Sequence, residues 1–157
     1  MVRCKSTTRF SSVKVSVILT QTDTTVGFLS QNAKKLYEIK ERKPSKIFIQ
    51  VYNNFKTLKA STCRVPKEHR NLLRRCKKTT FIVKGKSFRV SPSSLYSQIF
   101  KNLDWVYSTS ANKSQENFSR DFCEDKADII IENNSRLKEN KSSKLIKLNH
   151  IKRKRLR

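Results

Sequence analysis

From Val13 the chain alternates, with Val13, Val15, Val17 and Leu19 apolar and Lys14 and Ser16 between them. A period of two predicts a strand with one buried face. The run enters a polar cluster, Thr22, Asp23, Thr24 and Thr25, and reaches Gly27, one of only two glycines, before a helical pattern begins. Ser30 or Asn32 can cap that helix. Ala33, Leu36, Tyr37 and Lys40 recur at i, i+3, i+4 and i+7, so the lysine stem extends the apolar face. Pro44 turns Lys43 out of the α region, so the helix is expected to stop near Lys40. In the extended chain that follows, Lys40 and Arg42 share a side, which suits a clamp for one phosphate group.

Further along, KIFIQVY at 46–52 predicts a second strand, and Phe55, Leu58 and Lys59 a short helix. Pro66 opens another helix that turns Leu72, Leu73 and Cys76 inward and Arg70, Arg74, Arg75 and Lys77 outward. Thr79 to Val83 is the next strand. Gly85 and Lys86 connect it tightly to Phe88, Arg89 and Val90, and the resulting hairpin implies a mixed sheet. Ser93 or Ser94 caps a helix carrying Leu95, Ile99, Phe100 and Leu103. Trp105, Val106 and Tyr107 then run into a second polar cluster, Ser108, Thr109, Ser110, Ala111 and Asn112. Its small side chains let a ligand approach the backbone, at the kind of strand exit where open sheets bind ligands. Residues 127–131 (ADIII) and 145–148 (LIKL) supply the last strands.

Composition narrows the partner. Thirty-six lysines and arginines against twelve acids give a formal net charge of +24 in 157 residues, a surface that attracts polyanions. No broad apolar face accompanies the charge, so nucleic acid or nucleotide phosphates come before membrane lipids. Six of the acids, Glu116, Asp121, Glu124, Asp125, Asp128 and Glu132, fall in one segment, whereas the C-terminal end is cationic. Residues 1–149 are expected to form a single domain and residues 150–157 a mobile basic tail suited to phosphate-backbone contacts. Cys4, Cys63, Cys76 and Cys123 show no C-x-x-C spacing, and His69 and His150 adjoin none of them in sequence, so they read as reduced intracellular thiols rather than zinc ligands. No apolar run is long enough for a membrane helix. Residues 1–20 lack acids, as transit peptides do, but their strand pattern argues that they stay in the fold, and a cytoplasmic location is expected.

Taken in order, Gln21 to Gly27 (QTDTTVG), Lys40 and Arg42, Thr79 to Ile82 (TTFI), Arg89, Ser108 to Asn112 (STSAN) and SKLI from Ser143 resemble the YrdC/YciO family of threonylcarbamoyl-AMP synthases. The resemblance covers nearly the whole chain. It implies a twisted, mixed open α/β sheet with flanking helices around a concave ligand site. It implies an enzyme that joins L-threonine, bicarbonate and ATP, with magnesium on the phosphates, into threonylcarbamoyl-AMP and pyrophosphate for tRNA modification. A downstream threonylcarbamoyl transferase would take that product. By position, Lys40, Arg42, Ser110 and Asn112 correspond to the catalytic tetrad that holds the ATP phosphates, with Lys46 and Ser143 as further ATP contacts. Thr24, Arg89 and Ser108 correspond to threonine contacts.

The chain departs from the family at several places. Gln21 and Val26 replace a proline and an aromatic residue, Cys76, Lys77 and Lys78 replace Pro-Gly-Pro, the proline after K-x-R has moved to Pro44, and Ser91 stands where Arg-x-Pro would end. The competing expectation is a YrdC-like protein that has lost catalysis and binds double-stranded RNA or tRNA on its basic surface. A structural basic domain of ribosome or nucleoid would explain the charge but neither polar cluster.

Overall fold

Leu19, Phe28 and Leu36, all fully buried, nucleate one of two cores in the computed structural model. The structure describes residues 2–4, 13–41, 45–91, 103–114, 116–132 and 137–157, and divides into two compact units. Arg42, Pro44 and the helix expected from Ser93 or Ser94 lie outside the described residues.

Unit 1 comprises 1–48 and 106–141. Its strands are β1 (Val2–Cys4), β2 (Ile18–Gln21), β3 (Val26–Ser30), β7 (Trp105–Ser110, from Val106 onward) and β8 (Ile129–Ile131). β8 pairs antiparallel with β1 and parallel with β2, β2 forms a hairpin with β3, and β3 pairs antiparallel with β7. Two expectations change here. The strand begins at Ile18, and Ser16 to Thr20 are buried without alternation, so both faces of this central strand, paired on its edges by β8 and β3, are covered. The polar residues 22–25 turn the chain into β3 rather than into a helix, so Gly27 lies within a strand.

Helix α1 (Ala33–Lys40) follows. Asn32 caps it by accepting from the amides of Lys34 and Lys35 at 3.0 and 3.4 Å, and Glu41 closes it in the left-handed region at φ 46°. Leu36 is fully buried, and each such side chain removed from water stabilises the fold by about 1.5–3 kcal/mol. Phe48 brings the chain after α1 back onto this core, its ring 4.4 Å from Tyr37 and 6.4 Å from Tyr107. Helix α4 (Arg120–Lys126) buries Cys123 in the same core.

Unit 2 comprises 49–105 and 142–157. Strands β4 (Ile49–Tyr52), β5 (Thr79–Val83), β6 (Lys86–Val90), β9 (Lys144–Leu148) and β10 (Arg153–Arg155) run in the order β4, β6, β5, β9, β10. β4–β6 and β5–β9 are parallel, while β5–β6 and β9–β10 are antiparallel. The expected β5–β6 hairpin turns through Lys84 and Gly85, both at positive φ, as the twist of the flanking strands requires. Helices α2 (Phe55–Ala60) and α3 (Arg70–Arg75) cover one sheet face through Leu58 and Leu73, buried with Phe81, Val83 and Phe88. The basic end of the chain differs from expectation. Arg153 to Arg155 pair with Leu148 to Ile146 as a strand, exposed along its length. Backbone hydrogen bonds formed it without any apolar face.

Candidate functional site

In unit 1 the last turn of α1 and the end of β7 converge. Leu36 and the stem of Lys40 share the buried helix face, which carries the ammonium group inward until Lys40 is only 4% exposed. Its Nζ donates to the Ser110 carbonyl at 3.1 Å, to the Asn112 carbonyl, and to Asn112 Oδ1 at 2.7 Å. An ammonium has three donors, and three acceptors from STSAN meet them. Ser110 Oγ donates to the same Asn112 Oδ1 at 2.7 Å, and Asn112 Nδ2 donates to the Glu116 carbonyl. One positive charge thereby fixes the rotamer of the amide and the direction of the hydroxyl. The exposed Ser110 hydroxyl and this cation make a strand exit suited to an oxyanion.

The 22–25 turn reaches the same strand. Thr22 Oγ1 accepts from the amides of Thr24 and Thr25 at 3.2 and 3.1 Å and donates to the Thr25 carbonyl, while Thr24 Oγ1 lies 3.3 Å from it. Gly27 sits opposite Ser110 in the β3–β7 ladder. A Cβ there would lie 2.9 Å from Thr22 Cγ2, 3.0 Å from the Thr109 carbonyl and 3.9 Å from Ser108 Oγ. Only glycine lets the threonine turn and β7 approach this closely. Ala111 N donates to the Val26 carbonyl at 3.0 Å and locks the exit of β7 to β3.

Behind that exit Cys123 Sγ donates to the Ala111 carbonyl at 3.2 Å. Burial pushes its thiol up to about 11, and the nearby Lys40 charge pulls in the opposite direction.

Unit 2 holds a second polar group on the sheet face turned away from Phe81 and Phe88. Arg89 is 6% exposed, and its Nη2 donates to Thr80 Oγ1 at 3.1 Å. Thr80 Oγ1 in turn shares a hydrogen bond of 2.9 Å with Ser143 Oγ. The expected site residues therefore fall into two sets. Lys40, Ser110 and Asn112 bond to one another, with Ser108 on the same strand β7 and Thr24 in the 22–25 turn of the same unit. Arg89 and Ser143 meet through Thr80 in the other unit, and Lys46 lies exposed on the loop after α1, its carbonyl accepting from Tyr37 Oη at 3.2 Å. Thr22, Thr80 and Cys123 were given no site role from the sequence, although Thr22 belongs to the first polar cluster and Thr80 to the TTFI run. Thr80 could have been given one, since the β5–β6 hairpin register brings it opposite Arg89.

Among the described residues no three His, Cys, Asp or Glu side chains cluster to hold a metal ion, and no helix is long and apolar enough to cross a membrane. The donors gathered here are an ammonium, hydroxyls and an amide.

The family model described as Sua5_yciO_yrdC, "Telomere recombination", matches residues 14–157. Comparison by sequence with curated proteins gives no match. Among solved structures, P. abyssi Sua5 complexed with L-threonine aligns at TM-score 0.73 and 17% identity, over 92% of this chain and 51% of that one. E. coli YciO aligns at TM-score 0.74 and 17% identity, over 94% of this chain and 86% of its own. Full-length HypF in a phosphate- and nucleotide-bound form aligns at TM-score 0.76 and 15% identity, over 100% of this chain and 25% of that one. The chain spans about half the length of the Sua5 chains it matches. These likenesses establish the fold, the mixed α/β architecture with a twisted sheet and helices that the sequence predicts.

Proposed function

The chain belongs to the Sua5, YciO and YrdC family, and from that premise we propose that it is an L-threonylcarbamoyladenylate synthase serving tRNA threonylcarbamoyladenosine modification. Bicarbonate and the threonine amine condense to a carbamate with loss of water. A carbamate oxygen then attacks the α-phosphorus of ATP, the bond to the β-phosphate oxygen breaks, and pyrophosphate leaves with its magnesium. The carbamate is already an anionic nucleophile, so the protein mainly aligns reactants and offsets charge.

In this reading Lys40, Arg42, Ser110 and Asn112 hold the phosphates, with Lys46 and Ser143 as further nucleotide contacts. Arg89 takes the threonine carboxylate bidentately, and Thr24 and Ser108 orient its amine or hydroxyl. The observation that carries the reading is the buried Lys40 ammonium, bonded to both Ser110 and Asn112 although seventy residues separate them in sequence. Phosphate oxygens entering there exchange with the carbonyls that hold Nζ, so the same cation that orders Ser110 and Asn112 stabilises the developing charge. Support also comes from the ligands of the matched proteins, L-threonine in Sua5 and a nucleotide in HypF.

Incubation of the purified protein with labelled bicarbonate, threonine and ATP tests it. A threonine-dependent adenylate product with equimolar pyrophosphate is expected. No product, from protein that is folded and shows no thermal shift with ATP, magnesium and threonine, overturns it.

A further inference from the structure

Unit 2 carries a cleft on the sheet face opposite Arg89. Along β5 the side chains alternate, Thr80 bonding to Arg89 on one face and Val83 packing with Phe88 on the other, and the cleft opens at the second face. It measures about 790 Å³ and lies between α2, the start of α3, the β5–β6 turn and the end of β9. Phe55, Leu58, Val65, Val83 and Leu148 form an apolar floor. Lys59, Arg64, Lys67, Arg70, Lys84 and Lys147 line it as cations, and among the described residues no carboxylate does.

The surroundings extend the same sign. Unit 2 contains 20 of the 36 lysines and arginines but only two carboxylates, Glu68 and Asp104. Past β9, exposed Lys152 and the exposed strand Arg153–Arg155 continue the basic surface beyond the cleft. That is more positive charge than one triphosphate neutralises, and it continues past the cleft. A floor of apolar side chains within a cationic rim suits an unpaired nucleotide, its base or ribose against the floor and successive phosphates along the rim. A duplex keeps its bases inside and would meet the rim alone.

We infer that this cleft docks single-stranded nucleic acid, with the phosphate backbone held by Lys59, Arg64, Lys67, Arg70, Lys84 and Lys147. The site is separate from the residues assigned to adenylate formation, and the inference stands whether or not that assignment holds. It gives the net charge a location.

The test is fluorescence anisotropy of the full chain with a short single-stranded RNA, across a salt series. Arg64→Glu with Lys67→Glu reverses two exposed cations of the cleft, and Lys34→Glu with Lys141→Glu makes the same change of net charge in unit 1. The cleft pair is expected to weaken binding by at least about tenfold more than the control pair. It is also expected to reduce the slope of log K against log salt by roughly 1.4, the loss of two single-strand phosphate contacts. Threonine-dependent pyrophosphate release should be unchanged in both variants, which separates failure here from failure of the catalytic assignment. Equal weakening by the two pairs overturns the cleft, tighter binding of a duplex of the same sequence overturns the single-strand assignment, and equally effective competition by polyglutamate overturns nucleic acid as the occupant.

Discussion

The two units treat charge in opposite ways. In unit 1 cations are answered locally: Arg120 bonds Glu124 at 2.6 Å and Glu132 at 2.8 Å, and Lys35 bonds Asp128 at 3.3 Å. Asp128 Oδ2 also accepts from the amide of Val17 at 2.8 Å, so its carboxylate joins α1 to the start of β2. Lys40, the one deeply buried cation there among the described residues, is enclosed by acceptors. Unit 2 leaves most of its cations at the surface, among them Lys59, Arg64, Lys67, Lys84 and Lys147, with two carboxylates to share. Charge placed inside a hydrogen-bonded frame can serve chemistry, because its geometry is fixed before a ligand arrives. Charge left open on a rim repels itself and is relieved by whatever polyanion comes near.

Removing Lys40 breaks the first half of that comparison most directly. Lys40→Ala is expected to lower threonine-dependent pyrophosphate release about a hundred- to a thousandfold, as loss of one preorganised donor at a reacting group does. It also strands the Ser110 and Asn112 carbonyls. Their lost partner should cost about 1–3 kcal/mol, read as a lower denaturant midpoint with unchanged slope. Turnover equal to the parent protein removes the assignment of this cluster to catalysis.

Gly27→Ala attacks the same frame through its backbone. The added methyl meets the Thr109 carbonyl at 3.0 Å, and that atom belongs to the ladder and cannot swing aside. A loss of about 1–3 kcal/mol is expected from overpacking, with reduced activity because Thr24 and Ser108 are pushed apart. Unchanged stability and turnover would mean that the threonine turn and β7 need not touch.

How much of this was legible in the chain follows from the same physics. Helix α1, β4 and the β5–β6 hairpin were readable because one face is apolar or a glycine marks the turn. The sequence order of TDTT, Lys40 and STSAN pointed to a common site, and Lys40 does bond to Ser110 and Asn112. The β2–β3 hairpin was misread because a strand paired on both edges and buried on both faces loses its period of two, leaving TDTT to look like the entry to a helix. β10 gave no signal at all. A three-residue cationic edge is held by backbone hydrogen bonds, which residue type does not announce, and its charges keep further strands from adding to it. The cleft escaped notice because its cations come from four separate stretches, 59, 64–70, 84 and 147. Its trace in the sequence was the near absence of acids between Glu41 and Asp104, with Glu68 the one exception.

Salt sharpens the contrast at smaller amplitude. Exposed ion pairs such as Lys35–Asp128 contribute little and weaken as salt screens them, while repulsion among the open cations of unit 2 falls by the same screening. With the net charge so far from zero, the second effect should win. Added salt is expected to raise Tm by a few degrees, and the cleft variant Arg64→Glu with Lys67→Glu should flatten that rise more than the unit 1 control. A Tm that falls with salt would mean that the ion pairs of unit 1 dominate.

Two buried thiols among the described residues, Cys123 in unit 1 and Cys63 in unit 2, give the finest probe. Burial raises both Cys123 and Cys63 above the ordinary thiol value, and a neighbouring lysine opposes the shift in each, Lys40 for Cys123 and Lys86 for Cys63. The sign for stability follows from the neutral form being the one the core accepts. Below pH 9 both thiols are protonated in the folded and unfolded chain, and their contribution is fully present. As pH rises from about 9 through the folded Cys123 value of about 11, the unfolded chain releases its proton first and this contribution is lost. Cys123→Ala is therefore expected to flatten the alkaline fall in denaturant midpoint. Lys40→Met should raise the Cys123 thiol further, since it deletes a charge fixed by three acceptors, whereas Lys86→Met should move Cys63 less, because Lys86 is exposed and screened by water. Reaction with a thiol reagent against pH, on single-cysteine variants, reads both shifts. An equal response of the two thiols would show that enclosure gives the Lys40 charge no advantage over an open one.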